Sequence, residues 1–121
     1  MIGNSRSSAI KGWLDGTLTA DGSEQLLFST DEICATAMLL VNVDNMDVGD
    51  SISIRTYIRM KSGGGWILVD ADTYADADGG LVDGLLADEG VPASPYGARF
   101  TLEQTAGTNR DYDWLLVEWA A

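Results

Sequence analysis

Histidine is absent from this sequence, cysteine occurs once, and lysine occurs only at Lys11 and Lys61. Without histidine the chain lacks the side chain that most often serves as a general base near neutral pH. The single Cys34 has no partner for a disulfide within the chain or for a metal site built from several cysteines. Because it flanks an apolar run, we interpret Cys34 as a small buried residue. No nucleophile or phosphate-binding motif offsets these absences, and we expect a protein that is not an enzyme.

Long apolar runs are also absent. No stretch approaches the roughly 20 apolar residues that cross a bilayer as a helix, and residues 1–8 contain no apolar signal core. We therefore expect neither membrane insertion nor Sec-type export.

Positive charge is scarce in this chain. The chain has seven basic and 19 acidic residues, so its formal net charge is −12. A surface of that sign repels nucleic acid and anionic membranes, and we expect neither as a partner. Fourteen of the acids are aspartate, and an Asp-rich, Lys-poor surface is typical of salt-loving microbes and their viruses, where salt screens self-repulsion. The alternative interpretation is an ordinary acidic surface that keeps a protein soluble.

The chain does contain a regular succession of short apolar or alternating segments, separated by Gly, Asp and Asn. This spacing predicts an all-β fold, a single antiparallel β-sandwich that is jelly-roll-like and has about eight strands. The 121 residues suit one domain, with residues 1–11 as an N-terminal extension. Residues 35–44 predict a central strand, whereas residues 81–86 fit either a strand or a short helical turn.

Local turn signals predict three hairpins. The first joins residues 13–19 to 24–29 through an Asp-Gly turn, which favours a hairpin because glycine tolerates positive φ. The second has a glycine-rich tip at residues 61–65, and the third joins residues 98–105 to 112–119. Before the second tip, alternating residues share one face that we expect in the core: Ile52, Ile54, Thr56, Ile58 and Met60.

The densest group of possible metal ligands comprises Asp70, Asp72, Asp76 and Asp78. Carboxylates on a loop suit calcium, but the spacing departs from the helix-loop-helix calcium signature, since Tyr74 and Ala75 occupy loop positions that need an acid and a glycine. A solvated acidic loop is the alternative. We expect no cofactor, with calcium as the one candidate left open.

Tryptophan and tyrosine each occur four times. Aromatic faces stack on sugar rings, so they suit a carbohydrate-binding module. Most of these residues fall in predicted strands, where packing in the core or at a subunit interface is the commoner role. Exposed tryptophans side by side would favour the sugar-binding interpretation.

Residues 96–114 end the chain with a distinctive pattern, in which Gln104, Thr105, Ala106, Gly107 and Thr108 are followed by Arg110, Tyr112 and Trp114. This segment resembles the C-terminal pattern of small β-sandwich proteins from tailed viruses of bacteria and archaea. Residues 15–25 and 48–55 are similar to other recurrent segments of that group. Together the three segments cover close to half of the chain, in matching order.

The resemblance implies a virion component such as a capsid decoration, turret or minor capsid protein, and the acidic composition favours a haloarchaeal host. The expected location is the virion, assembled in the host cytoplasm, and the expected partners are further copies of the chain and the major capsid protein. A carbohydrate- or receptor-binding module is the alternative. Because cations are rare here and suit a neighbour's carboxylates, we expect contacts through arginine and tryptophan. The candidate contact residues are Arg55, Arg59, Trp66, Arg99, Arg110 and Trp119.

Overall fold

The computed structural model describes residues 10–31, 36–75, 81–86 and 96–119. In these ranges all regular secondary structure is β-strand. The described residues include no helix long and apolar enough to span a membrane. The strands are β1 (Ile10–Thr19), β2 (Glu24–Thr30), β3 (Thr36–Asn42), β4 (Ser51–Ile58), β5 (Ile67–Ala75), β6 (Leu81–Leu86), β7 (Ala98–Ala106) and β8 (Asp111–Trp119). Residues 81–86 are thus a strand, and the end of the expected N-terminal extension belongs to β1.

The strands form two four-stranded antiparallel sheets. The first sheet has the order β1-β8-β3-β6 and the second has the order β2-β7-β4-β5. Pairing is nested along the chain, since β1 pairs with β8, β2 with β7, β3 with β6 and β4 with β5. The prediction of an all-β antiparallel sandwich is confirmed, and this nested pairing is jelly-roll-like.

Two of the three predicted hairpins are wrong. β1 and β2 lie in different sheets, and so do β7 and β8, so the Asp-Gly turn and the turn after Ala106 carry the chain from one sheet to the other. Only β4 and β5 form a hairpin of the predicted kind. A turn sequence specifies a local reversal, whereas the sheet that the next strand joins depends on pairing with strands far away along the chain.

The core lies between the two sheets and follows the alternation of the strands. On β4, Ile52, Ile54, Thr56 and Ile58 are buried as predicted, whereas Met60 lies beyond the strand and is exposed. Facing side chains come from both sheets: Leu27, Leu39, Val41, Phe100, Leu102, Tyr112 and Leu116. Cys34 lies outside the described residues.

Candidate functional site

Part of the C-terminal pattern surrounds a buried carboxylate where the chain crosses between sheets. Asp50 is 2% exposed and accepts hydrogen bonds from the backbone N–H of Asp47 at 2.8 Å and of Thr108 at 2.9 Å. Arg110 Nε donates to the same carboxylate at 2.8 Å. The two N–H groups, followed by the guanidinium, hold the pKa of Asp50 below its ordinary value. We call these four residues the Asp50 cluster.

Gln104 continues this network into the core. Its amide nitrogen donates to the carbonyls of Ala106 at 2.8 Å and Ser51 at 3.2 Å, and its amide oxygen accepts from the buried Tyr112 hydroxyl. Gly107 lies against Asp50 with a φ of 83°. The motif residues that carry the family resemblance therefore hold the crossing between the sheets, which is a structural role.

The outer face of the second sheet carries a network of charged side chains. Arg55 Nη1 lies 2.8 Å from Glu103 Oε1 and 3.2 Å from Glu24 Oε1. Glu24 also accepts hydrogen bonds from the hydroxyls of Thr101, at 2.6 Å, and Tyr57. Partial burial raises the pKa of Glu24, but these two hydrogen bonds and the charges of Arg55 and Arg99 outweigh it, so the net shift of the pKa is downward.

Beside this network Trp66 packs against two arginines. The guanidinium carbon of Arg59 lies 4.1 Å from the Trp66 ring centre and that of Arg99 lies 4.6 Å from it, both within cation–π range. Arg59 is anchored at its far end by Asp31, at 2.5 Å. The Nε atoms of both arginines are buried and have no hydrogen-bond partner. We call Arg59, Trp66 and Arg99 the arginine–tryptophan stack.

A cavity of about 340 Å³ opens next to the stack on the same face. It is lined by Glu24, Leu26, Tyr57, Arg99 and Thr101. Because the carboxylate of Glu24 already binds Tyr57, Thr101 and Arg55, the cavity combines a satisfied acid with a cation at its edge and the exposed Leu26 side chain.

The outer face of the first sheet is different in character. Strand register places Trp13, Val117 and Met38 in one row across β1, β8 and β3. Two residues further back along β8, Leu115 lies beside Leu40 of β3 on the same face. Trp13 is 70% exposed and the other four are partly exposed. We call these five residues the apolar face.

The apolar face ends in a polar groove of about 470 Å³. Its polar side chains include Asp15, Thr17, Asn42 and Asp113, and the Thr17 hydroxyl donates to Asp113 at 2.6 Å. None of the arginines in the described ranges lies on a strand of the first sheet.

The structure brings four of the six candidate contact residues onto one face: Arg55, Arg59, Trp66 and Arg99. Arg110 belongs instead to the Asp50 cluster. Trp119 ends β8, where its backbone pairs with Ile10 and Thr36.

The candidate calcium ligands are placed only in part. Asp70 and Asp72 lie in β5 rather than in a loop, and Asp76 and Asp78 fall outside the described residues. Among the residues that are described, no three acidic or sulfur ligands converge as they would around a metal ion.

The apolar face was missed as a surface by the sequence reasoning. The sequence does contain a signal for it, because residues two apart on a strand share a face: Trp13, Asp15 and Thr17 on β1, and Met38, Leu40 and Asn42 on β3. Without knowing that β8 joins these strands, the two half-patterns cannot be added into one face.

No protein-family model matches this sequence, and no curated protein matches it. A solved structure titled "Crystal structure of PirA" is similar with a TM-score of 0.47 and 11% sequence identity, covering 89% of this chain and 93% of that chain.

Proposed function

We propose that this protein is a non-enzymatic assembly module, a capsid decoration, turret or minor capsid component of a tailed virus. It works by burying its surface against further copies of itself and against a capsid lattice. The observation that carries this proposal is the apolar face: five partly or largely exposed apolar side chains on one sheet of a chain with a net charge of −12.

Physical reasoning connects that face to assembly. Contiguous exposed apolar patches on soluble proteins mark interaction sites, and interface centres are depleted in charge and enriched in aromatic residues and methionine. Trp13 and Met38 fit that composition, and the row of Trp13, Val117 and Met38 contains no acid. Asp15 pairs with Leu115 at the edge of the face, and Asp113 lies further along β8, in the polar groove. The backbone of a sheet is also ordered in advance, so binding at its face need not order a loop.

The resemblance to small proteins of tailed viruses supports the same proposal. The residues of the C-terminal pattern hold the crossing between the two sheets. The same residues would support the same fold in those viral proteins, whose surfaces need not match the surface of this chain. The virion location and the haloarchaeal setting are part of the proposal.

A pair of matched variants tests the assembly role. Trp13→Glu places a charge on the apolar face, whereas Val48→Glu makes the same change in charge at a turn residue that is 85% exposed. We expect wild type and Val48→Glu to form oligomers by light-scattering mass measurement and to bind particles that lack the protein. Trp13→Glu should remain a monomer and stay unbound. A wild-type monomer without particle affinity would refute the proposal.

The polar groove favours a second candidate function, glycan binding. Carboxylate, amide and hydroxyl groups beside Leu40 and Leu115, with the exposed Trp13 on the same face, are the side chains that hold a sugar by hydrogen bonds and stacking. Asp113→Asn should then abolish binding on a glycan array while leaving oligomer mass unchanged. If Trp13→Glu loses its oligomers and the wild type binds no glycan on the array, the assembly role is supported and glycan binding is refuted.

A further inference from the structure

Arg99 differs from the other arginines in the described part of the chain. Arg55, Arg59 and Arg110 each lie within 3.2 Å of a carboxylate of the same chain. Within the described ranges Arg99 has no such ion pair: its guanidinium stacks on Trp66 and attracts the Glu24 carboxylate only from beyond ion-pair distance. A guanidinium offers five N–H donors in a planar fork that suits a carboxylate.

The guanidinium of Arg99 is held in place before any ligand arrives. Trp66 packs against it at 4.6 Å and is itself held by Arg59, which Asp31 anchors. Fixing a long side chain in advance lowers the entropy that binding would otherwise cost. Arg99 therefore resembles a prepared binding group more than a mobile surface cation.

The cavity beside Arg99 is suited to a short acidic side chain. Tyr57 and Thr101 contribute polar walls, and Leu26 contributes an exposed apolar one that can cover the carbons of a side chain. Glu24 also lines the cavity, but its carboxylate already accepts from the hydroxyls of Tyr57 and Thr101 and pairs with Arg55. Since Arg99 Nε is buried, the terminal N–H groups of Arg99 are the donors for a ligand.

Local charge opposes an acidic partner less here than the overall charge of the chain does. The outer face of the second sheet, with the adjoining stack, carries three cations (Arg55, Arg59 and Arg99) and three acids (Glu24, Asp31 and Glu103), a sum of zero in a chain of net charge −12. An acidic protein surface is repelled less at this neutral patch than by the excess acids elsewhere. Further copies of this chain carry such a surface, with 19 acids each.

We propose that the cavity beside Arg99 binds the carboxylate of an aspartate or glutamate from a second copy of this chain. The inference rests on the proposed assembly role and deepens it, because it names a polar anchor that a neighbouring copy brings, separate from the apolar face.

The experiment titrates the isolated, ¹⁵N-labelled chain with sodium acetate, against sodium chloride at equal ionic strength and pH. The reporters are the Nε–H signals of the arginines and the indole N–H of Trp66 in NMR spectra. We expect the Arg99 and Trp66 signals to move saturably with acetate and not with chloride. Arg99→Gln should weaken acetate binding about tenfold or more, read at Trp66, because a charge-assisted pair is lost.

Two variants serve as controls. Lys61→Gln removes the same charge at the exposed tip of the β4–β5 hairpin, and it should leave acetate binding unchanged. Arg99→Lys keeps the charge but loses the planar fork, and it should bind acetate more weakly than wild type. Equal shifts with chloride, or unchanged acetate binding in both Arg99 variants, would overturn the proposal.

A second arm identifies the source of the carboxylate. Blocked glutamate should bind at least as tightly as glucuronate, and Arg99→Gln should lower the oligomer mass of the chain while Lys61→Gln does not. Markedly tighter glucuronate binding would instead assign the cavity to acidic sugars and overturn the second copy as the occupant. Because the acetate titration needs no assembly, a chain that stays monomeric but binds acetate would refute the assembly role and the occupant while keeping the carboxylate site.

Discussion

Gly107 shows how closely single residues are constrained at the crossing between the sheets. Its φ of 83° lies in the region that other residues rarely adopt. A Cβ at this position would lie 2.1 Å from Asp50 Oδ1 and 2.8 Å from the Gly49 carbonyl oxygen. Glycine is therefore required here by both backbone conformation and space.

We predict that Gly107→Ala destabilises the protein by about 2–4 kcal/mol, because backbone strain and displacement of the Asp50 carboxylate add together. Gly22→Ala is the matched control, since Gly22 has a φ of 86° but nothing within 4 Å of its Cβ position. That control should cost only about 1 kcal/mol, the strain alone. Urea unfolding of both variants provides the measurement, and equal losses would contradict the steric part of the argument.

Asp50 makes the stability of the fold sensitive to acid. Its hydrogen bonds with Asp47, Thr108 and Arg110 lower its pKa in the folded state. Their contribution is therefore fully present above the unfolded pKa, near pH 4, and is lost as the pH falls through the folded pKa.

We predict that Asp50→Asn is less stable than wild type at pH 7, and that the difference shrinks as the pH is lowered from about 5 toward 2. Denaturant unfolding at a series of pH values measures that difference. A gap between the two proteins that stays constant throughout this range would show that the charge of Asp50 contributes nothing.

At the scale of elements, β5 depends on its hairpin partner for support. It forms an edge of the second sheet, and its side chains are largely exposed, including Ile67, Leu68 and Val69. The arginine–tryptophan stack lies where the hairpin returns into β5, because Trp66 directly precedes Ile67. We infer that the stack compensates for the little apolar burial along this strand.

We predict that Trp66→Leu destabilises the hairpin by about 1–2 kcal/mol, the loss of two cation–π contacts. Amide hydrogen exchange in β5 should accelerate about tenfold, while exchange in β8 stays close to wild type. Trp13→Leu makes the same change at a tryptophan in the other sheet and should leave β5 exchange unaltered. Uniform acceleration across both sheets in Trp66→Leu would indicate global rather than local loosening.

At the scale of the whole molecule, the net charge of −12 opposes the compact state. Arg55, Arg59 and Arg110 pair with acids of the same chain. The excess acids then repel one another over distances that salt screens. The acidic, lysine-poor composition should therefore make the stability of the fold depend on salt concentration.

We predict that the thermal midpoint rises by several degrees when potassium chloride increases from about 0.1 to 2 M, as screening weakens self-repulsion. Sodium chloride at the same concentrations should act similarly, since screening depends on ionic strength. A midpoint that falls or stays level with salt would contradict the interpretation of this composition as an adaptation to salt.

The sequence by itself determined the class of fold and the inward faces of the strands. The alternation along β4 places Ile52, Ile54 and Thr56 in the core, as the structure confirms, because the side-chain period of a strand is a local property. It also marked the arginines and Trp66 as candidate contacts.

Only the tertiary structure decided which strands are neighbours, and therefore which side chains share a surface. The predicted hairpins of β1 with β2 and of β7 with β8 gave way to pairing of β1 with β8 and β2 with β7, since these pairs join distant segments and no local signal encodes them. The same pairing gathered Trp13, Leu40 and Leu115 into the apolar face, engaged Arg55 and Arg110 with acids of their own chain, and placed Arg99 beside a cavity.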